Sequence, residues 1–581
     1  MILTENINLI WASLLVEECI RNGSDTFFLA PGSRCTPLTL AVARNPDAKS
    51  VLHFDERGLG FAALGFARAT GRPGVVICTS GTAVSNLTPA VVEASMDAQP
   101  MLLLTADRPF ELRDCGANQA IPQAGAFSSY VNWSMDLSTP DSSIPPEAVL
   151  STVGRAFQSL RKGPVHLNCP FREPLASQPD RTDSEAYLIS LHHWSRDHSP
   201  YTSVFPPLAQ PDEINLYGLK EMLGENPRVL IIAGGGCSEA EALAIEQLGE
   251  LQGWPIVSDV TSGLHFGPRR NPLVRHVDAL VGNFGFPESL RPDHVLQFGC
   301  RFLSKKLLQA LETQPPRCWI QVTGREGRFD PLHRVTHRFI NEIDRFCLFW
   351  HQERMSPTEP GWRKAWIRAD AAVEKVYAEQ LDESATLTEP GVARAVTRML
   401  PNLHGLVLGA SMPVRDVNQF AAPNRRQIHV ASNRGASGID GTLATAVGFA
   451  RGLFQCVTVL LGDLSTLHDL NSLALVHQSR VPVIVIVINN HGGGIFHFLP
   501  VKENAEEFET FFGTPHEWDF EHAAGQFDLP YARIHDMEEF GQAYEEALST
   551  RKSCLIEVQT DREQNVQQHL ALAEMLKLPA S

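Results

Sequence analysis

The chain contains no apolar run approaching the ~20 residues that a membrane-spanning helix needs, so no transmembrane protein is expected. Residues 1–10 carry Glu5 and no basic cluster, so a secretory signal is not expected either. Eleven cysteines lie scattered through 581 residues without a CxxC pair. With no export signal, disulfides are not expected, and the thiols read as reduced in a cytoplasmic protein. Cys35 and Cys115 read as small buried fillers. Positive charge is in short supply: 49 basic residues face 66 acidic ones, a formal net charge of -17. Such a field repels nucleic acid and anionic membrane, so neither is an expected partner. A full GxGxxG is also missing, and Gly234-Gly235-Gly236 reads as a strand-end turn instead of a nucleotide loop.

What is present is the composition of an ordinary globular protein, 43% hydrophobic and 20% charged. A chain of this length exceeds one core and should divide into about three or four domains. Apolar runs at 27–29, 51–53, 75–77 and 101–104 alternate with helical patterns such as 9–20 and 61–67, which implies a parallel sheet. The texture turns to Pro, Asp, Ser and His from Ser177 to about Glu213, and a strand pattern resumes at Arg228-Val229-Leu230-Ile231-Ile232. Another break falls at 357–361. The fold class is therefore α/β, with three doubly wound parallel-sheet domains at 1–180, 214–355 and 356–581 and a surface linker at 181–213. No short repeat is evident, although the outer units share a βαβ texture.

The third unit carries a chemical signal. A strand pattern at 457–461 ends at Asp463, a helical pattern covers 466–477, and a second strand pattern at 482–488 delivers Asn489 and Asn490 to the same rim. A carboxylate, an amide oxygen and a backbone carbonyl near Gly492 make half an octahedron, which Mg²⁺ completes with phosphate oxygens and water. Each residue alone reads as a helix cap or turn residue; their pairing across one βαβ unit favours a diphosphate-metal site. Glu56 opens a helix directly after a strand, where a first-turn acid contributes less than ~1 kcal/mol through the helix dipole. An acid in this place could instead exchange a proton with an aminopyrimidine ring.

Several motifs join these signals: Pro31-Gly32-Ser33-Arg34, Phe54-Asp55-Glu56-Arg57-Gly58, Thr79-Ser80-Gly81-Thr82-Ala83, Thr105-Ala106-Asp107-Arg108-Pro109, Cys115-Gly116-Ala117-Asn118-Gln119, Gly494-Ile495-Phe496 and the run Ser432-Asn433-Arg434-Gly435-Ala436-Ser437-Gly438-Ile439-Asp440-Gly441. On them the chain resembles the thiamine diphosphate-dependent decarboxylase superfamily. Within it, the chain is most similar to the 2-succinyl-5-enolpyruvyl-6-hydroxy-3-cyclohexene-1-carboxylate (SEPHCHC) synthase family of menaquinone biosynthesis. The likeness spans nearly the whole chain and implies the order pyrimidine domain, middle domain, diphosphate domain.

The resemblance implies an enzyme that decarboxylates 2-oxoglutarate on thiamine diphosphate and adds the succinyl semialdehyde carbanion equivalent to isochorismate, giving SEPHCHC and CO₂. Glu56 would be the cofactor-activating acid. Asp463, Asn490 and the Gly492 carbonyl would hold Mg²⁺ or Mn²⁺, and Ile439 would bend the cofactor. Ile495, Phe496 and Leu499 would form an apolar wall. Arg34, Arg108, Lys305, Lys306, Arg415 and Arg434 would bind the carboxylates of two dicarboxylate substrates, with Ser33, Asn118, Gln119 and Ser411 adding neutral hydrogen bonds. Two positions depart from the family pattern: Lys306 stands where Arg is expected, and His491 where a third Asn is expected. The family likeness also implies a homodimer or homotetramer with active sites between subunits. The rival readings are another 2-oxo acid decarboxylase or carboligase on the same scaffold, and a non-catalytic relative.

Overall fold

Three parallel sheets organise the chain, and the computed structural model describes residues 2–205, 212–268, 273–281, 285–352 and 358–576. The first sheet contains β1 (Thr26–Leu29), β2 (Lys49–Leu52), β3 (Gly74–Cys78), β4 (Met101–Asp107), β5 (Trp133–Asp136) and β6 (Val165–Pro170), in the order β2-β1-β3-β4-β6-β5. The middle sheet contains β7 (Val229–Ala233), β8 (Ile256–Ser258), β9 (His294–Phe298), β10 (Cys318–Thr323) and β11 (His337–Ile340), in the order β11-β10-β9-β7-β8. The third contains β12 (His404–Leu408), β13 (Ile428–Ser432), β14 (Val457–Gly462), β15 (Val483–Asn489), β16 (Tyr531–Ile534) and β17 (Cys554–Gln559), in the order β13-β12-β14-β15-β17-β16. The outer sheets thus have one topology, position for position. Their central strands, buried on both faces, are the continuous Val, Ile and Leu runs that parallel sheets require.

The helices that matter below follow from local signals. In the first domain these are α1 (Ile7–Arg21), α2 (Glu56–Thr70) and α3 (Thr88–Met96); the middle domain contributes α4 (Lys305–Thr313). The third domain contributes α5 (Glu389–Met399), α6 (Met412–Phe420), α7 (Thr442–Leu453), α8 (Asp463–His468) and α9 (Arg562–Met575). Asp55 caps α2 by accepting the Arg57 amide, and Gly71, at φ 66°, ends it in the left-handed conformation.

The first and third domains share one apolar core across α2 and α7, in which Phe61, Ala62 and Phe66 join Leu443, Ala446 and Val447. Two glycines set the distance of that crossing. A Cβ at Gly65 would strike the Thr445 carbonyl, and one at Gly448 would strike the Ala62 carbonyl. Backbone cannot yield as a side-chain tip can, so Gly448→Ala is expected to lower stability by about 1–3 kcal/mol, read as a fall in the denaturation midpoint.

Some expectations change. The helical pattern at 466–477 is two helices, α8 and Leu473–Gln478, joined by a 3₁₀ turn at Leu470–Ser472. The break serves Asp469, whose carboxylate turns away to accept the Leu443 and Ala444 amides at the start of α7. Cys115 is exposed, in a loop with Asp114 and Gly116 at positive φ, and is not the buried filler expected; Cys35 is buried. The described part of the 181–213 linker forms short helices, and Trp194 and Leu191 in it pack into the first domain's core. Its residues 206–211 lie outside the described residues, as does the boundary placed between 355 and 356. Among the described residues, no helix is long and apolar enough to cross a membrane.

Candidate active site

The candidate residues gather at the carboxyl ends of strands, where open α/β sheets bind ligands. In the third sheet, Asp463 follows β14 and Asn490 follows the neighbouring β15. Asp463 is buried; its Oδ1 accepts the Leu464 amide at 2.6 Å and its Oδ2 the Gly492 amide at 2.8 Å. His516 Nε2 lies 3.2 Å from the same Oδ2, with its ring stacked on Trp518. Burial pushes the Asp463 carboxyl above its ordinary value. Gly492 has φ 143° and passes so close to the Gly513 carbonyl that a Cβ would collide with it.

Asn490 supplies the most telling atom. It is buried at 8% exposure, and its Nδ2 donates to Glu389 Oε1 at 2.9 Å. Its Oδ1, equally buried, has no hydrogen-bond partner. Buried acceptors are almost always paired, so an orphan in this place needs a reason. An oxygen-seeking cation held by Asp463, Asn490 Oδ1 and the Gly492 carbonyl gives one, and the donor set suits Mg²⁺ or Mn²⁺. The residues present therefore fit the group expected of them.

Glu56 begins α2, half-buried, and Asn86 Nδ2 lies 3.3 Å from its Oε2. It faces an open cavity of about 420 Å³ walled also by Phe54, Asp55, Arg57, Asn86 and Asn471. Asp463, Asn490 and Gly492 are not among those walls. The acid and the candidate cation ligands are linked within the chain, since Arg57, beside Glu56, donates to the His468 carbonyl at the end of α8, the helix that Asp463 opens. Apolar side chains stand open near both: Phe54 is 58% exposed, Ile439 39% and Leu499 40%. Ile495 and Phe496, in the 3₁₀ turn Gly494–Phe498, are half-buried, and Phe496 packs edge-on against Phe512.

The six cations fall into three groups, not one cluster. Arg34, Ser80 and Arg108 follow the adjacent strands β1, β3 and β4. Arg108 donates to the Ser80 hydroxyl, and burial, with the Arg34 charge added, holds Arg108 below its ordinary value. Arg34 donates to the Phe171 carbonyl and pairs with Glu173 at 3.4 Å. Gln119 joins this group through Nε2 to the Ser80 carbonyl at 2.8 Å; Ser33 and Asn118 are exposed nearby in sequence. In the third domain, desolvation and the neighbouring Arg434 lower Arg415, which reaches back to the Ser411 carbonyl. Ser411 holds φ 72° at the start of α6, a strained conformation of the kind that clusters at functional sites. Lys305 and Lys306 open α4 in the middle domain, Lys306 beside Asp278, and neither bonds to either arginine pair.

Some residues escaped the sequence reading. Glu93, at 2% exposure in α3, accepts the Gly435 and Ala436 amides at 2.7 and 2.6 Å and the Ser437 amide at 3.3 Å. Arg68 pairs with it at 2.8 Å. The first domain thereby grips the loop that carries Arg434 and Ile439, and no local pattern announces it. Glu389 was missed too, although Thr388-Glu389-Pro390 is a plain helix-start signal. The glycine triplet after β7 is the turn expected: the Gly234 and Gly235 amides donate to the Phe298 and Arg301 carbonyls.

Comparison with known proteins adds three domain matches. The N-terminal TPP binding domain of thiamine pyrophosphate enzymes matches residues 11–127, the middle domain of thiamine pyrophosphate enzymes matches 185–408, and the C-terminal TPP binding domain matches 410–558. Among relatives, the 2-succinyl-5-enolpyruvyl-6-hydroxy-3-cyclohexene-1-carboxylate synthase of Salinibacter ruber is 47% identical, over 97% of this chain and 96% of its own. The synthases of the same name from Rubrobacter xylanophilus and Chlorobaculum tepidum are 44% and 42% identical, each over at least 98% of both chains.

Proposed function

We propose, starting from the fact that this chain belongs to the SEPHCHC synthase family and is a thiamine diphosphate-dependent enzyme, that it joins 2-oxoglutarate to isochorismate. CO₂ leaves the 2-oxoglutarate, and the remaining four-carbon unit is added to isochorismate to give SEPHCHC in menaquinone biosynthesis. The observation that carries this reading is the pair of separated guanidinium sets, Arg34 with Arg108 and Arg415 with Arg434. Two substrates with two carboxylates each call for two such sets, whereas a monocarboxylate substrate would leave one idle.

Thiamine diphosphate, when bound, supplies the electron sink for loss of CO₂ and the nucleophilic carbon for the addition. Glu56 would hold and exchange the proton at the aminopyrimidine ring. Asp463, Asn490 and Gly492 would hold Mg²⁺ or Mn²⁺ and through it the diphosphate, and Ile439 would bend the cofactor. Ile495, Phe496 and Leu499 exclude water, which otherwise would protonate the four-carbon unit and release it as succinic semialdehyde. Lys305 and Lys306 add positive charge from the middle domain, and Ser33, Asn118, Gln119 and Ser411 orient hydroxyl or carboxylate groups. The family likeness implies a homodimer or homotetramer, in which a second copy would complete each site.

The deciding experiment measures CO₂ release from 2-oxoglutarate with thiamine diphosphate and Mg²⁺, with and without isochorismate, and follows the product by mass spectrometry. Isochorismate-dependent formation of the succinylated adduct is the expected result; CO₂ without adduct would overturn the acceptor. Arg434→Ala is expected to lower kcat/KM about 10–100-fold, the loss of one charged hydrogen-bonding partner, while thiamine diphosphate affinity stays unchanged. Equal loss of cofactor affinity would remove Arg434 from substrate binding.

A further inference from the structure

Behind Asn490 lies a buried polar network that the reaction scheme above does not use. Glu389 is the first residue of α5, 4% exposed and about a hundred residues from Asn490 in sequence. Its Oε1 accepts both the Asn490 Nδ2 at 2.9 Å and the Thr560 hydroxyl at 3.0 Å. Thr560 in turn donates its amide to the Asn489 carbonyl at 3.0 Å, which ties the ends of β15 and β17 to the start of α5. Asp416, paired with His569 at 2.9 Å, closes the network on the side of α6 and α9.

An asparagine amide is nearly symmetric in shape, and only its partners decide which end carries the oxygen. An acceptor on one side forces the NH₂ to that side and the oxygen to the other. Glu389 provides that acceptor, and the atom left on the opposite side is the partnerless Asn490 Oδ1. We propose that Glu389 is a positioning residue that locks the Asn490 carboxamide with Oδ1 turned to the cation site. Without it, the amide is free to present NH₂, a donor that repels a divalent cation, for part of the time. Outer partners of this kind typically change metal affinity about 10–100-fold when removed.

The inference rests on the cofactor reading above, and the test separates the two. Mn²⁺ is titrated into the full-length protein at saturating thiamine diphosphate, with free Mn²⁺ read by electron paramagnetic resonance. Glu389→Asp keeps a carboxyl group at the start of α5 but withdraws the acceptor by one methylene, and it is expected to raise the Mn²⁺ Kd by about 10-fold or more. Glu389→Gln keeps a carbonyl acceptor in place and is expected to stay within about threefold of wild type. Melting of the metal-free proteins controls for folding, since a purely structural role would lower that midpoint and leave the Kd alone. An unchanged Kd in Glu389→Asp overturns the positioning role. Wild-type protein that takes up no Mn²⁺ would instead overturn the cofactor reading.

Discussion

Glu56→Gln is expected to cut turnover by about 10²–10⁴-fold, the usual worth of a proton-transferring side chain, while the melting midpoint moves little. The substitution is nearly isosteric. Asp55 still caps α2 through the Arg57 amide, and the amide side chain can still meet Asn86. The helix loses only a first-turn charge, worth under ~1 kcal/mol. What disappears is the proton exchange with the aminopyrimidine ring proposed for Glu56. Steady-state kcat, a thermal melt and a thiamine diphosphate titration on the same preparation test this together. A variant that keeps most of the wild-type rate would remove Glu56 from the chemistry.

Asp463→Ala is expected to abolish metal-dependent binding of thiamine diphosphate. Asp463 is the one carboxylate among the three proposed cation ligands, and its Oδ2 also accepts the Gly492 amide, so its loss would disturb a second proposed ligand. Ligand at 100 times its Kd stabilises a protein by about 2.7 kcal/mol, which appears as a rise in melting temperature. That rise should be absent from the variant. Asp463→Asn separates the two effects, because it keeps an acceptor for Gly492 but not the charge. If the Asp463→Asn variant binds Mg²⁺ and cofactor as tightly as wild type, the charge at this position is not what holds the cation.

The alternation of strands and helices was legible because parallel strands buried on both faces need unbroken apolar runs, and 483–489 is one. Asp463 and Asn490 were legible for a related reason: both emerge where such runs stop. What the sequence could not disclose was set by contacts distant along the chain. The 466–477 pattern looks like one helix until Asp469 is needed at the amides of Leu443 and Ala444. Glu93 meets its loop 342 residues away, and Glu389 meets Asn490 across 101. The cationic residues could be recognised singly, but their division among three sheet rims depends on which strands are neighbours. Cys115 was misread because burial was inferred from residue type alone, whereas its loop turns outward.

The crossing of α2 and α7 at bare backbone has a mechanical meaning. Glu56 sits at the head of α2, and the loop bearing Ile439 leads into α7. With Gly65 and Gly448 seated against opposing carbonyls, neither helix can slide or roll without pushing the other. Neighbours along the two helices advance together, Phe61 beside Gly441 and Thr70 beside Gly452, so Glu56 and the Ile439 loop emerge at the same end of one stiff pair. A push on the start of one helix is therefore carried to the start of the other.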